Sequence, residues 1–276
     1  MPGIMTYPNN FIRFLGTAGT RFIMLSQRRS SGGIWFSYGG ARGVIDPGPG
    51  SLVRICEASP PLSPVDINTL ILTHRHVDHS SDVNVLAEGM TLRAREPRGF
   101  VLLTKDCLAD GDSVLMKYMT KKIDKTAFHE DGAIVHPAGG MSVESVLHFH
   151  HGVECYGLIF RGGGLPTWGL ISDTAPMGYF PERYRDCELL IINVALAFPR
   201  SRLDHMSMPD ATSLLAHMRP KMAVITHMGS DMLDMGEEFI SARMSTAETK
   251  VVASRDGMII DMDDIMNIKQ PGGMER

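Results

Sequence analysis

The 276-residue sequence is 43% hydrophobic, enough for a large core, and carries a formal net charge of −4 with a pI near 6.2. A mildly acidic chain offers no overall positive field to recruit nucleic acid or an anionic membrane, and no apolar run is long enough to span a bilayer. The opening residues, Met1 to Tyr7, lack the basic start and apolar core of a signal peptide, so a cytoplasmic location is expected.

In chain order, Phe11 to Leu15 reads as a strand ended by Gly16-Thr17-Ala18-Gly19. Gly33 to Tyr38 and Arg42 to Asp46 read as a hairpin around Gly39-Gly40. The turn Asp46-Pro47-Gly48-Pro49-Gly50 closes it. An apolar strand, Thr69 to Thr73, follows, and then a short helix over Ser81 to Glu88, capped by Ser80 or Ser81. Residues 90–145 are less legible: a strand at Gly99 to Leu103, a helix at Ser113 to Met119, and a basic knot (Lys117, Lys121, Lys122, Lys125) read as a solvated face.

Strand signals return at Ser142 to His150, Tyr156 to Phe160, Gly169 to Ser172 and Leu189 to Val194. Met208 to Met218 reads as a helix after Ser207, with Leu214, Leu215 and Met218 on one side. Met222 to Thr226 is a further strand. Val251 to Ala253 and Met258 to Ile260 read as a last hairpin over Arg255-Asp256-Gly257. Strands, then a helix, then the same order again predict an α/β fold of two sheets back to back with helices outside. No internal repeat divides the chain, and residues 1–276 are read as one domain. The scattered Cys56, Cys107, Cys155 and Cys187 have no C-x-x-C spacing and read as reduced thiols. The 20 methionines read as adaptable core filler.

The strand Thr69 to Thr73 runs directly into His74-Arg75-His76-Val77-Asp78-His79. Three imidazoles and a carboxylate within six residues suit zinc and its first-row neighbours. His74 and His76 are two apart and point the same way on an extended segment. Asp78 and His79 follow on the bend and can serve a second ion. Other candidate ligands also lie at strand ends: His151, Asp173 and His227. Strand termini let a rigid sheet present ligands on one rim.

These residues together resemble the metallo-β-lactamase superfamily. The likeness rests on Phe14-Leu15-Gly16-Thr17, Ile45-Asp46-Pro47-Gly48, the H-x-H-x-D-H run, His151, Ile171-Ser172-Asp173-Thr174 and Ile225-Thr226-His227. It implies an αββα four-layer sandwich, two mostly antiparallel mixed sheets with helices outside. It also implies two divalent ions, Zn2+ first and Mn2+ or Fe as alternatives. Carried over, His74, His76 and His151 hold the first metal, Asp78, His79 and His227 the second, and Asp173 bridges them. Asp46 braces the ligand loop. His148 and His150 rival His151, which is preferred because Gly157 follows it by six residues. That spacing, and the segment Asp204-His205-Met206-Ser207, resemble the branch holding the RNase Z-like tRNA 3′-processing endonucleases and a cyclic-phosphate phosphodiesterase.

In that branch the histidine matching His205 faces the phosphate, so Asp78 and His205 are the expected catalytic side chains. Residues 174–203 leave little room for the protruding tRNA arm of the endonucleases. A small or cyclic phosphodiester is therefore favoured over RNA as substrate. Arg21, Arg28 and Arg29 are candidates to steer that anion. An RNase Z-like endoribonuclease, a lactonase or other ester hydrolase, and a non-catalytic metal-binding scaffold are the alternatives. A homodimer, common among similar proteins, stays open, and no membrane partner is expected.

Overall fold

Gly39 and Gly40 turn the chain back on itself as the sequence predicts. Both have positive φ (58° and 86°), which a two-residue hairpin of this hand requires and glycine adopts without strain. The computed structural model describes residues 6–92, 96–176 and 182–270. Its first half contains β1 (Phe11–Phe14), α1 (Thr20–Ser26), β2 (Ile34–Tyr38), β3 (Ala41–Ile45), α2 (Ser51–Cys56), β4 (Thr69–Ile71), α3 (Val77–Ser80), α4 (Val83–Thr91), β5 (Phe100–Leu103), β6 (Lys125–Phe128) and β7 (Ile134–Val135). The second half contains β8 (Met141–His150), β9 (Val153–Gly162), β10 (Trp168–Ile171), β11 (Leu189–Asn193), α5 (Met208–Met218), β12 (Met222–Thr226), α6 (Ser230–Met235), α7 (Glu237–Met244), β13 (Lys250–Ala253), β14 (Ile259–Asp261) and β15 (Ile268–Lys269).

The strands form two mixed sheets, ordered β15-β14-β1-β2-β3-β4-β5-β6 and β13-β12-β11-β10-β9-β8-β7. Each is antiparallel in one half and parallel in the other. Pairing is parallel from β3 to β6 and from β10 to β13. Between the sheets lie Ile12, Phe36, Ile71, Leu158, Phe160 and Trp168, all buried. Outside the first sheet, α4 sets Val83, Leu86 and Met90 against Leu70 and Val101. Outside the second, α5 and α7 set Leu214, Met218 and Ile240 against Ile192 and Ile225. Burying each such side chain is worth about 1.5–3 kcal/mol, and the αββα layering follows from covering both outer faces. Eleven methionines, among them Met141, Met222 and Met258, are in these cores. Cys56, Cys107, Cys155 and Cys187 are free thiols.

Three local expectations are corrected. The helix begins at Val83 rather than Ser81, because residues 77–80 form the separate turn α3. No helix forms over Ser113 to Met119. There Asn84 donates to the Val114 carbonyl at 2.9 Å and accepts from the Met116 N–H at 2.8 Å, so these backbone groups are satisfied without helical bonds. The segments around Arg255-Asp256-Gly257 are not a hairpin: β13 pairs with β12, and β14 pairs with β1 in the other sheet. Asp256 pins this crossing by accepting from the Thr17 N–H and hydroxyl and from the Ser30 N–H. The basic knot is solvated, with Lys122 paired to Glu88 at 3.0 Å. Among the described residues no helix is long and apolar enough to cross a membrane.

Candidate metal centre

The ends of β3, β4, β8, β10, β11 and β12 meet along one edge of the sandwich, and the loops leaving them carry the predicted residues. Asp46 ends β3 with a left-handed φ of 49°. Its Oδ1 accepts from the Thr73 N–H at 2.7 Å, and its Oδ2 from the Thr73 hydroxyl at 2.7 Å and His79 Nδ1 at 3.0 Å. One carboxylate thus fixes both ends of the His74–His79 loop. Thr73 Oγ1 also meets His74 Nδ1 at 3.0 Å and Ser172 Oγ at 2.8 Å. That contact ties the β4 loop to the end of β10.

The outer nitrogens of three histidines are therefore occupied: His74 by Thr73, His79 by Asp46, and His150 by the Asp204 carbonyl at 2.7 Å. Such contacts fix the tautomer and aim the other nitrogen inward. The inward nitrogens converge. His150 Nε2 is 3.2 Å from His76 Nδ1, and His79 Nε2 is 3.1 Å from His227 Nε2. His74 Nε2 is buried with no hydrogen-bond partner. The donor atoms fall into five overlapping groups, among them His74–His76–His150, His150–His151–His205 and Asp78–His79–His227.

Asp173 lies between the first and last of these. Its Oδ2 is 3.5 Å from His79 Nε2, 3.6 Å from His150 Nε2 and 3.7 Å from His205 Nδ1. Its Oδ1 is 3.4 Å from His227 Nδ1 and accepts from Asn193 Nδ2 at 2.8 Å.

Electrostatics follow from burial. Burial and then the charge of His79 push the pKa of His74 well below the ordinary imidazole value. Burial, reinforced by neighbouring histidines, lowers His76 and His150 to about 4. These rings are neutral at pH 7, the form that ligates a metal. His79 is the exception. Burial opposes its charge, but the Asp78 and Asp173 carboxylates outweigh it and raise the pKa. Burial also opposes ionisation of Asp78 and Asp173, yet facing imidazoles hold both carboxyls below the usual range. Neutral imidazoles, ionised carboxylates and an orphaned inward nitrogen fit divalent cations here.

One sequence expectation is corrected. The side chain closing on His74 and His76 is His150, not His151. Strand β8 alternates, with His148 and His150 buried and Leu147 and Phe149 exposed. His151 leaves the strand in the two-residue turn to β9, with φ of 44°. It lies at the mouth, its backbone N–H on Asp204 at 2.9 Å and its ring centroid 5.4 Å from that of His205. His148 faces Tyr184 Oη at 3.2 Å instead. Gly157 is accounted for by packing, since a Cβ there would collide with Tyr184 and His148.

His205 stands at the rim with its pKa lowered by burial, a neutral hydrogen-bonding ring rather than a standing cation. Ser207 caps α5 in a box with Asp210. Arg28 and Arg29 are paired with Asp234 and Glu237, while Arg21 lines the cleft. The contacts of Asn193, Ser172 and the Asp204 carbonyl are not readable from the sequence, although Ser172 and Asp204 stand in the motifs singled out there. Each is an ordinary polar group whose role exists only once the strands are brought together.

Residues 42–228 match the model of a family described as a β-lactamase superfamily domain. The chain is 26% identical over 266 residues to the uncharacterized protein MJ1374 of Methanocaldococcus jannaschii, covering 91% of this chain and 94% of that one. It superposes on the metallo-β-lactamase fold protein YhfI of Bacillus subtilis with a TM-score of 0.71 at 17% identity, over 91% and 98% of the two chains. Human tRNase Z, short form, gives 0.69 at 16%, over 91% and 99%. A diphosphatase from the PhnP family gives 0.62 at 18%, over 91% and 97%.

Proposed function

Because this chain belongs to the metallo-β-lactamase superfamily, and that membership with this donor set supports a metal-dependent hydrolase, we propose a binuclear phosphodiesterase acting on a small or cyclic phosphodiester. The observation that carries the reading is the Asp173 carboxylate between two histidine groups, with His205 beside it at the mouth. Zinc is the metal this donor set suits first. His74, His76 and His150 would hold one ion and Asp78, His79 and His227 the other, with the Asp173 carboxylate between the two groups.

Two ions so held supply Lewis acidity toward phosphoryl oxygens and lower the pKa of water. The chain's own groups do the rest. Asp46, Thr73 and the Asp204 carbonyl keep the imidazoles in one tautomer and orientation. Asn193 holds Asp173 in place. His205 offers a hydrogen bond to the phosphate or to the departing ester oxygen. Water's oxygen bonds to phosphorus, one P–O ester bond breaks, and the freed alkoxide oxygen takes a proton, giving a phosphomonoester and an alcohol that departs from an open diester or stays on the product of a cyclic one.

Two of the similar structures are named a diphosphatase and a tRNase, which directs the reading to phosphate substrates. A small substrate is favoured over RNA by the cleft's charge. Among the described residues its arginines are Arg21 and Arg200, and Arg200 is paired with Asp231 at 3.2 Å. RNA binding ordinarily draws on many basic contacts. The test is hydrolysis of bis(p-nitrophenyl) phosphate by zinc-loaded protein and by His205→Ala and Asp173→Ala. Turnover that drops in both variants supports the reading. Cleavage of lactones or carboxylic esters with no phosphodiester turnover would refute it.

A further inference from the structure

The cleft in front of the metal centre has a volume of about 710 Å³, within the range of small-molecule sites. Its floor is His76, Asp78, His150, Asp173 and His205, but its walls are of another character. Phe22 and Met24 on α1, Val77 at the start of α3, and Leu196 and Leu203 in the loop after β11 line it. Helix α1 buries Ile23 alone and turns Phe22 outward, 72% exposed. Leu203, in the loop after β11, is 37% exposed. Exposed apolar side chains gathered around a polar floor mark a binding surface.

The charged groups on these walls largely cancel. Arg200 is paired with Asp231, and Asp234 with Arg28 at 2.7 Å. Arg21 has no carboxylate partner among the described residues. The walls thus offer apolar surface and little net charge, whereas the floor, with divalent ions held by its histidines and carboxylates, would take an anion.

We propose that the substrate is amphiphilic: a phosphodiester whose phosphate rests at the metal centre and whose ester group is an extended apolar chain or ring system. That group lies between Phe22 and Leu203. The inference rests on the phosphodiesterase reading for the phosphate alone; the apolar walls stand whichever ester is cleaved.

The test is the affinity of zinc-loaded protein for methyl-, butyl-, hexyl- and octylphosphonate, measured by calorimetry, so that binding rather than turnover is read. Affinity is expected to rise about fourfold per added methylene until the cleft is filled, the transfer value of a buried CH₂. Phe22→Ser and Leu203→Ser, both at exposed positions that do not threaten folding, should lower that increment. A series of equal affinities, an increment unchanged in both variants, or tighter binding of a short single-stranded RNA than of octylphosphonate would overturn the proposal. Parallel turnover assays separate the two ideas. A rising series with cleavage of long-chain carboxylic esters alone supports the apolar cleft and sinks only the phosphodiester reading. Phosphodiester turnover with no chain-length dependence does the reverse.

Discussion

The Asp46 carboxylate contacts His79 Nδ1 at 3.0 Å and the Thr73 N–H and hydroxyl at 2.7 Å each. One side chain just after β3 therefore sets the orientation of a candidate ligand, His79, at the far end of the His74–His79 loop and the backbone at its start. Asp46→Ala should weaken zinc binding about 10–100-fold, the usual cost of losing a group that orients a metal-ligating histidine. Competition with a chromophoric chelator measures it. Unchanged affinity would show that the loop holds itself.

His150 and His151 have separable roles. His150→Ala should lose zinc from the first group, because its Nε2 faces His76 and its Nδ1 is tied to Asp204. His151→Ala should keep full metal content. Metal analysis of the two purified variants decides it, and loss of an ion from the His151 variant alone would restore the assignment that spacing to Gly157 suggests.

Asn193 donates to Asp173 Oδ1 at 2.8 Å. Asn193→Ala frees the central carboxylate and should lower kcat about 10-fold or more with KM little changed, since the bond acts on orientation rather than substrate binding. A rise in KM alone would place Asn193 among the substrate contacts.

His129 gives a pH prediction away from the metal ligands. It is buried between the Leu72 carbonyl at 2.9 Å and Ser145 Oγ at 2.7 Å, and burial lowers its pKa to about 4. In the unfolded chain it titrates near 6.5. Between those values the unfolded state binds the extra proton, so acidification from pH 6.5 to 4 removes stability, on the order of 3 kcal/mol from this group. The measurement is denaturant unfolding of the wild type and His129→Phe at pH 7 and pH 4.5. The variant's acid loss should be the smaller. Equal losses would assign acid sensitivity to other groups.

Much of this site is legible in one sequence because its candidate ligands stand at strand ends, and apolar strands are visible as runs. Thr69 to Thr73 announces β4, and the residues that follow must lie at its end. The Gly39-Gly40 hairpin is equally readable, since few residues adopt two successive positive φ values. Where reading fails, the deciding partner is distant. Asn84 replaces the helical bonds expected over Ser113 to Met119, and Asp256 sends the chain between sheets by holding Thr17 and Ser30. The choice of His150 over His151 was present in the alternation of Leu147, His148, Phe149 and His150, a strand signal that the glycine spacing outweighed. The apolar walls of the cleft give no signal, because Phe22 and Leu203 both line it from segments 181 positions apart in the sequence.

The most direct test of the proposed binuclear phosphodiesterase activity is turnover of bis(p-nitrophenyl) phosphate as zinc is titrated into metal-free protein. Activity should climb and saturate at two equivalents per chain. Saturation at one equivalent, or two tightly bound ions with no turnover, would contradict it.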